Sequence, residues 1–407
     1  MNMEINDLAK EMGAVEKYSI GRLAWNRIGM ATVAHSIQES GGQEFLGTLW
    51  KYEYPFIKNQ CGQVMEKYGI KGESASVANL VQLALIWGFG YDWHVPNITK
   101  EHYIEAYGLW CPLVQALDEM GIQDGADAIP NWCDMFSTQI GQAVADNIFV
   151  CHAYCPMRGD RMCRTSFVEL EDDPHFDESN IYKEVVRLKK MVRSKLPPIP
   201  LEDTVEPLPP FFDSFEPEAV AKDAVMLLGR CTCHSIIAAA ELMGWDRFLD
   251  ILNEKHSRGY KYAAMKLRAD LFVSGSGLAD AASFLVFINE SMGFSGREIV
   301  VKSPDRIEIV GGRCPMAEAA DDCGAGSAGG AGGAGSAGGT GSAGGAGGTG
   351  SAGGAGGAGG AAREASRWCD YYQNIPLKLF GEGYSCIHSH CPLRGDKECR
   401  AVLSKGD

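Results

Sequence analysis

The chain has 407 residues, of which 45% are hydrophobic, and a formal net charge of −15. This length suggests two or three domains, and the composition permits well-packed cores, which excludes a chain that is disordered throughout. Nucleic acid and anionic membrane surfaces are disfavoured as partners because both require a cationic surface. We find no apolar stretch long enough to span a bilayer and no export signal near Met1. A cytoplasmic location is therefore expected.

Apolar residues at helical spacing occur in two similar sets of three segments, and each set is followed by two hairpin patterns. This predicts an α+β fold of two homologous modules, each with helices packed on a small antiparallel sheet and a terminal cysteine cluster. The predicted helices are 7–38, 45–68 and 76–87 in the first module and 216–243, 247–273 and 277–292 in the second. The predicted hairpin strands are 91–95 with 103–107 and 149–154 with 163–168, then 298–301 with 306–310 and 384–390 with 399–403.

Prolines and acidic residues at 172–212 interrupt the periodic pattern, as a semi-rigid linker would. The expected division is a first cysteine-cluster module at 1–171, this linker, and a second module at 213–407. The second module carries a glycine- and alanine-rich insertion at 324–362, which has a strict period of three residues over 325–360. That period suits either a flexible tether or packed polyproline-II-type helices, which would serve as a scaffold or as a subunit contact in a homo-oligomer.

One cysteine signature occurs twice: Cys-Pro-x-Arg-Gly-Asp-x-x-Cys is found at 155–163 and at 391–399. A Trp-Cys-Asp triplet places a cysteine 22 residues upstream of each signature, and a Cys-Pro pair lies further upstream. Four thiolates brought together are what zinc or an iron–sulfur cluster requires. The predicted metal ligands are Cys111, Cys133, Cys155 and Cys163 in the first module and Cys314, Cys369, Cys391 and Cys399 in the second.

The sequence favours a [4Fe–4S] cluster in each module. Proline directly after a ligating cysteine is common at iron–sulfur sites, whereas zinc sites more often use Cys-x2-Cys pairs, which this chain lacks. Zinc remains the alternative cofactor, and buried structural cysteines remain a third interpretation. The pattern assigns no role to four further thiols, Cys151, Cys231, Cys233 and Cys386.

Candidate catalytic residues flank the repeated signature. His152 and His388 each lie three residues before a predicted ligand, where an imidazole could move a proton or support the site. Arg158 and Arg394 lie within the turn, where a guanidinium could offset the charge of a cluster or bind a substrate carboxylate.

The Trp-Cys-Asp element followed by a cysteine hairpin resembles the family of L-2-amino-thiazoline-4-carboxylic acid hydrolase-like proteins and, more distantly, the 4-vinyl reductase domain. The resemblance implies an α+β module with a cysteine cluster and a pocket between helices and sheet. It also implies hydrolytic opening of a cyclic thiazoline as an activity.

The sequence therefore predicts an iron–sulfur enzyme that acts on a small polar organic substrate by Lewis-acid or reductive chemistry, with a ferredoxin-like protein as electron donor. Two alternatives stay open. One is an accessory subunit that only transfers electrons, and the other is a zinc-stabilised protein that binds a small molecule without catalysis.

Overall fold

The computed structural model describes residues 12–89, 93–96, 103–108, 111–122, 129–160, 163–170, 180–195, 205–206, 210–323 and 364–406. The fold is α+β. The first half contains helices α1 to α6, Ala14–Ser40, Gly42–Tyr68, Ala75–Ile86, Pro112–Met120, Ile129–Val144 and Ile181–Lys195, and strands β1 to β5, Trp93–Pro96, Tyr103–Gly108, Ile148–Tyr154, Cys163–Glu169 and Val205–Glu206. The second half contains α7 to α11, Pro217–Met243, Trp245–Asp270, Leu278–Ser291, Pro315–Asp322 and Ser366–Leu377, and β6 to β9, Glu298–Ser303, Arg306–Gly311, Tyr384–His390 and Cys399–Lys405.

Two kinds of local signal place the helix boundaries. Gly41 and Gly244 have φ values of 87° and 77° and end the first long helix of each half, in a backbone region that glycine adopts at little cost. Each upstream Cys-Pro pair starts a helix: Cys111 caps α4 and Cys314 caps α10, with proline at the first helical position. Proline suits this position because its missing N–H would have no partner there.

Both sheets are antiparallel. The first has the strand order β3-β4-β2-β1-β5 and the second has β6-β7-β9-β8. Gly108 lies opposite Cys163 in the first sheet, and Gly311 lies opposite Cys399 in the second. In both, the hairpin that carries the repeated cysteine signature therefore pairs with the hairpin that follows the third long helix.

The two halves also keep constant spacing. Helices α7 to α10 begin at residues 217, 245, 278 and 315, each 203 residues after α1 to α4, which begin at 14, 42, 75 and 112. Strands β8 and β9 begin at 384 and 399, each 236 residues after β3 and β4, which begin at 148 and 163. Residues of the two halves can therefore be compared position by position.

The predicted helices and hairpins are confirmed within the described residues, with shifts of up to three residues at most ends. The first helix begins at Ala14 instead of residue 7, and residues 7–11 and 91–92 of the predicted elements lie outside the described residues. The sequence patterns did not predict α4, α5, α6, α10 or α11. Helix α6 lies within the segment expected to be a linker, and its Leu188 and Met191 pack with Phe149 of β3. The glycine-rich insertion at 324–362 lies outside the described residues. Its predicted order and its predicted role in a subunit contact therefore stay predictions.

One hydrophobic core contains residues of both halves. At its centre α1 packs along α7, where Gly229 lies so close to the Trp25 ring that a Cβ atom would be 2.7 Å from the indole Nε1. That nitrogen donates to the carbonyl of Met292 at 2.9 Å. The prediction that no apolar stretch is long enough to span a bilayer is corrected by one described helix, since Pro217–Met243 is long and apolar enough. In the fold, 78% of its most apolar window is buried. The core helix of a soluble protein has the same properties, and the cytoplasmic location stays a prediction.

Candidate cysteine sites

The structure brings the four predicted ligands of the first half to one cavity, which we call the first cysteine site. Cys111 precedes α4, Cys133 lies in α5, Cys155 follows β3 and Cys163 begins β4. All four side chains line the cavity, although they come from four separate elements.

The rest of the cavity wall is mainly apolar. Trp132 and Phe136 of α5 stack with ring centroids 5.9 Å apart, and α7 of the second half contributes Leu228. Gln82, Ser137 and His152 supply the polar groups. The space open to the centre of a water molecule is about 40 Å³, which is room for about three waters at roughly 10–15 Å³ each.

The thiols of this site affect one another electrostatically. Burial, followed by the nearby charges of Cys155 and Cys111, raises the pKa of Cys133 well above its usual value. Burial likewise raises the pKa of Cys163, with the same two thiols adding to the effect, and it raises the pKa of Cys111 to about 11. Thiols in such surroundings stay protonated at neutral pH unless a cation offsets the charge of their thiolates.

The aspartate of the Trp-Cys-Asp triplet supports the histidine. Asp134 is 1% exposed, and its Oδ1 accepts from the backbone N–H of His152 at 2.5 Å and lies 2.9 Å from Nδ1 of the same residue. Its Oδ2 forms an ion pair with Lys189 of α6. Burial alone would raise the pKa of Asp134, but the contacts with His152 and Lys189 outweigh it and lower the pKa.

The Arg-Gly-Asp turn has the same geometry in both halves. In the first, Asp160 accepts from the backbone N–H of Cys155 at 2.7 Å, and Arg158 donates to the carbonyl of His152 at 2.5 Å. Gly159 takes φ 84° at the turn. Arg158 thus holds its own hairpin while its charge acts on Cys155, and it favours the thiolate of that residue.

The corresponding contacts recur in the second half. Asp396 accepts from the backbone N–H of Cys391 at 2.6 Å, and Arg394 donates to the carbonyl of His388. Asp370 accepts from the backbone N–H of His388 at 2.8 Å and lies 2.6 Å from its Nδ1. In contrast to Asp134, its side chain is 32% exposed.

The predicted ligands Cys314, Cys369, Cys391 and Cys399 make up the second cysteine site, and all four are buried. Burial and then the charges of the other three raise the pKa of Cys369 well above its usual value. Burial raises the pKa of Cys314 to about 12 and that of Cys391 to about 11. The pKa of Cys369 therefore depends on the charges of the other three thiols.

Cys399 differs from the other seven predicted ligands. Burial alone would raise its pKa, but a hydrogen bond with His388 and the charge of Arg297 outweigh burial, and the pKa of Cys399 is lowered. Burial would lower the pKa of His388, but its bonds to Asp370 and Cys399 raise it. Arg297 is only 7% exposed and lies directly before β6. The second site therefore has a chain from Asp370 through His388 to Cys399, with a buried guanidinium beside it.

The unassigned thiols lie at different places. Cys233 lies near the second site, since its charge acts on Cys369. Cys231 instead contacts the buried carboxyl of Glu53. Cys386 donates to Gln373 at 3.2 Å, and Cys151 is a buried strand residue.

Sequence reasoning missed Arg297, Lys189 and the two aspartates as parts of these sites. Asp134 and Asp370 belong to the repeated Trp-Cys-Asp triplet, and this repetition could have identified them from the sequence.

Within the part of the chain that the structure describes, no three Cys, His, Asp or Glu side chains are close enough to hold one metal ion together. The four thiols of the first site stand around a cavity instead. Iron–sulfur clusters, zinc and catalysis therefore remain predictions.

Comparisons with protein-family models, with curated proteins and with solved structures gave no match for this chain, so the resemblance to the thiazoline hydrolase-like family also stays a prediction.

Proposed function

We propose that this chain is an iron–sulfur enzyme whose first cysteine site binds a [4Fe–4S] cluster and acts on a small organic substrate. The observation that carries the proposal is that Cys111, Cys133, Cys155 and Cys163 line one cavity although they come from four elements of the chain. Structural cysteines packed as apolar residues have no need to converge in this way.

A cluster suits these thiols better than zinc does. Zinc–sulfur bonds of about 2.3 Å in a tetrahedron require sulfurs about 3.8 Å apart. A cluster adds iron and sulfide between its ligands, so it takes thiolates that stand further apart around a cavity. Its cations would also favour the thiolate forms that burial alone opposes.

We also propose that the two halves arose by internal duplication. The equal spacing of helices and strands, the equivalent sheet orders and the repeated Arg-Gly-Asp contacts support this. The second cysteine site then derives from the same ligand set and would bind a second cluster.

Within the first site the chain itself supplies proton handling and substrate contacts. Asp134 fixes the orientation of His152 through Nδ1, which leaves Nε2 for proton transfer to a molecule in the cavity. Gln82 and Ser137 offer hydrogen-bonding groups to a substrate, and Trp132 and Phe136 offer an apolar surface. The space of about 40 Å³ does not hold a cluster and a substrate together, so binding both would require these side chains to move apart. A bound cluster with an exchangeable position would supply Lewis-acid or reductive chemistry.

The proposal is tested by anaerobic purification with quantification of iron, acid-labile sulfide and zinc. We expect about eight irons and eight sulfides per chain, with brown absorption at roughly 400 nm. Cys155→Ser should remove about half of the iron, whereas Cys323→Ser, at a buried thiol outside both ligand sets, should retain all of it. Zinc without sulfide would favour the zinc-stabilised alternative, and protein that contains neither metal would overturn the proposal.

A further inference from the structure

The outward side of α8 differs from the rest of this acidic protein. Between Glu254 and Asp270 the helix carries four exposed cations, Lys255, Arg258, Lys261 and Lys266, and no acidic residue, although the chain has a net charge of −15. A fifth cation, Arg268, is half-buried and donates to three backbone carbonyls. The equivalent stretch of α2, residues 52–65, has one lysine and one glutamate. The basic character is therefore specific to the second half.

This side of α8 also exposes large apolar residues. Tyr262 is 62% exposed and Met265 is 51% exposed, at positions where the first half has Asn59 and Gly62. Arg258 lies three and four residues before Lys261 and Tyr262, and these lie four and three residues before Met265, so the four share one face, which we call the α8 outer face. Lys261 is held at 3.9 Å from Glu382, which is itself 82% exposed, so this cation stays accessible.

Behind the α8 outer face a series of aromatic rings leads to the second cysteine site. Tyr260, on the inner side of α8, has its ring centroid 6.1 Å from that of Tyr372. Tyr372 stacks on Trp368 with centroids 5.1 Å apart and an interplanar angle of 8°. Trp368 immediately precedes Cys369, a predicted ligand.

We propose that the α8 outer face docks a small acidic electron-carrier protein that delivers electrons to the second cysteine site. The electron-delivery part rests on the proposed function, but the docking part does not. Cations around exposed apolar residues attract an acidic partner at long range and then provide a small contact area, as transient redox encounters require. One electron leaves the reduced carrier and enters the second site, and no bond forms or breaks at the docking surface.

The test uses an acidic plant-type [2Fe–2S] ferredoxin as the probe and the full chain as purified. Binding is measured by calorimetry at low and high salt, and electron transfer by stopped-flow mixing with the reduced ferredoxin. The charge-reversal variant is Arg258→Glu/Lys261→Glu. Its matched control is Lys51→Glu/Lys58→Glu, which reverses two exposed lysines on α2 of the first half.

We expect the α8 variant to weaken binding and slow electron transfer by about tenfold or more at low salt, and the control to change either by less than about twofold. Reduction by dithionite, which needs no docking, should be equal in all three proteins. Three results would each overturn the docking proposal. The two variants could have equal effects, ferredoxin could fail to bind, or wild type could bind phosphatidylserine vesicles in place of ferredoxin. Docking by protein that lacks iron would support the surface and contradict the proposed function, so the two failures can be told apart.

Discussion

The two cysteine sites share their ligand positions but differ in what surrounds them. At the first, the thiols face a cavity, and the buried Asp134 is paired with Lys189 from α6. At the second, Asp370 is partly exposed, and the buried Arg297 lies beside Cys399. The comparison shows that one arrangement of cysteines can be kept while its charge balance is supplied by different elements. The first site has its thiols around a small cavity, whereas the second has the stronger electrostatic support for a thiolate.

The largest expected effect comes from removing one ligand in each half. Cys155→Ser and Cys391→Ser should each lose the metal of their own half and much of its stability, since a structural metal site contributes on the order of 10 kcal/mol to folding. Iron content and thermal unfolding, compared with Cys323→Ser, measure this. If one substitution removed all iron from the chain, the idea of two independent sites would be wrong.

The second prediction concerns Lys189, which pairs with Asp134 at the first site. Lys189→Met leaves the carboxylate of Asp134, which is 1% exposed, with His152 as its remaining partner. Removing one member of a buried ion pair costs about 3 kcal/mol or more, and we expect this loss in urea unfolding at neutral pH. The neighbouring Lys190 is exposed and provides the control, Lys190→Met. Equal stability of the two variants would show that the ion pair makes no net contribution.

These results bear on what the sequence could predict. The repetition identified the eight cysteines and both histidines, because a repeated motif can be recognised without knowledge of the fold. Six of the cysteines keep identical spacing, and Cys111 and Cys314 share a Cys-Pro pair. Arg297 and Lys189 could not be found in this way, since neither belongs to the repeated signature. Lys189 lies in a segment whose prolines and acids suggested a linker, and its helix is formed by packing against β3. Arg297 becomes part of the site only because β7 pairs with β9 and brings Gly311 opposite Cys399.

The third prediction compares equivalent buried positions, Glu53 in α2 and His256 in α8. Burial raises the pKa of Glu53 to about 8, although Cys231 and Gln139 contact its carboxyl. Burial, followed by the charges of His35 and Lys255, lowers the pKa of His256 to about 3. The folded state therefore keeps both groups neutral, and they give stability opposite dependences on pH.

For Glu53 the folded state binds a proton that the unfolded state releases above its pKa of about 4.3, so stability falls as pH rises toward 8. Glu53→Gln should remove this decline. The free energy of unfolding of the variant, relative to wild type, should therefore be roughly 3 kcal/mol higher at pH 8 than at pH 5. For His256 the unfolded state gains a proton below about pH 6.5, so stability falls as pH falls toward 3. His256→Gln should relieve that loss, which amounts to about 3 kcal/mol at pH 4 relative to pH 7. Urea unfolding from pH 4 to pH 9 measures both, and parallel curves for wild type and variants would contradict the assignment.

The smallest effect is expected at two equivalent positions, each directly after the second long helix of its half. Gly69 has φ 65° and Phe272 has φ 52°, which makes Phe272 the one described residue other than glycine with a positive φ. Its side chain is 80% exposed, so packing does not repay the strained backbone. Gly69→Ala should destabilise the chain by about 1 kcal/mol, while Phe272→Gly should stabilise it by up to about 1 kcal/mol, since relief of strain exceeds the entropy that glycine adds to the unfolded chain.

Whether Phe272→Gly raises or lowers stability also tests the difference between the halves. Phe272 follows α8, whose outer face we propose as a docking surface. An exposed aromatic side chain on a strained backbone is expected where contact with a partner offsets the cost of the strain. Phe272→Gly should then raise stability in urea unfolding and weaken ferredoxin binding in the same preparation. If stability rises and binding is unchanged, Phe272 lies outside the docking surface. If stability falls, the side chain contributes to the folded protein, and the comparison with Gly69 fails.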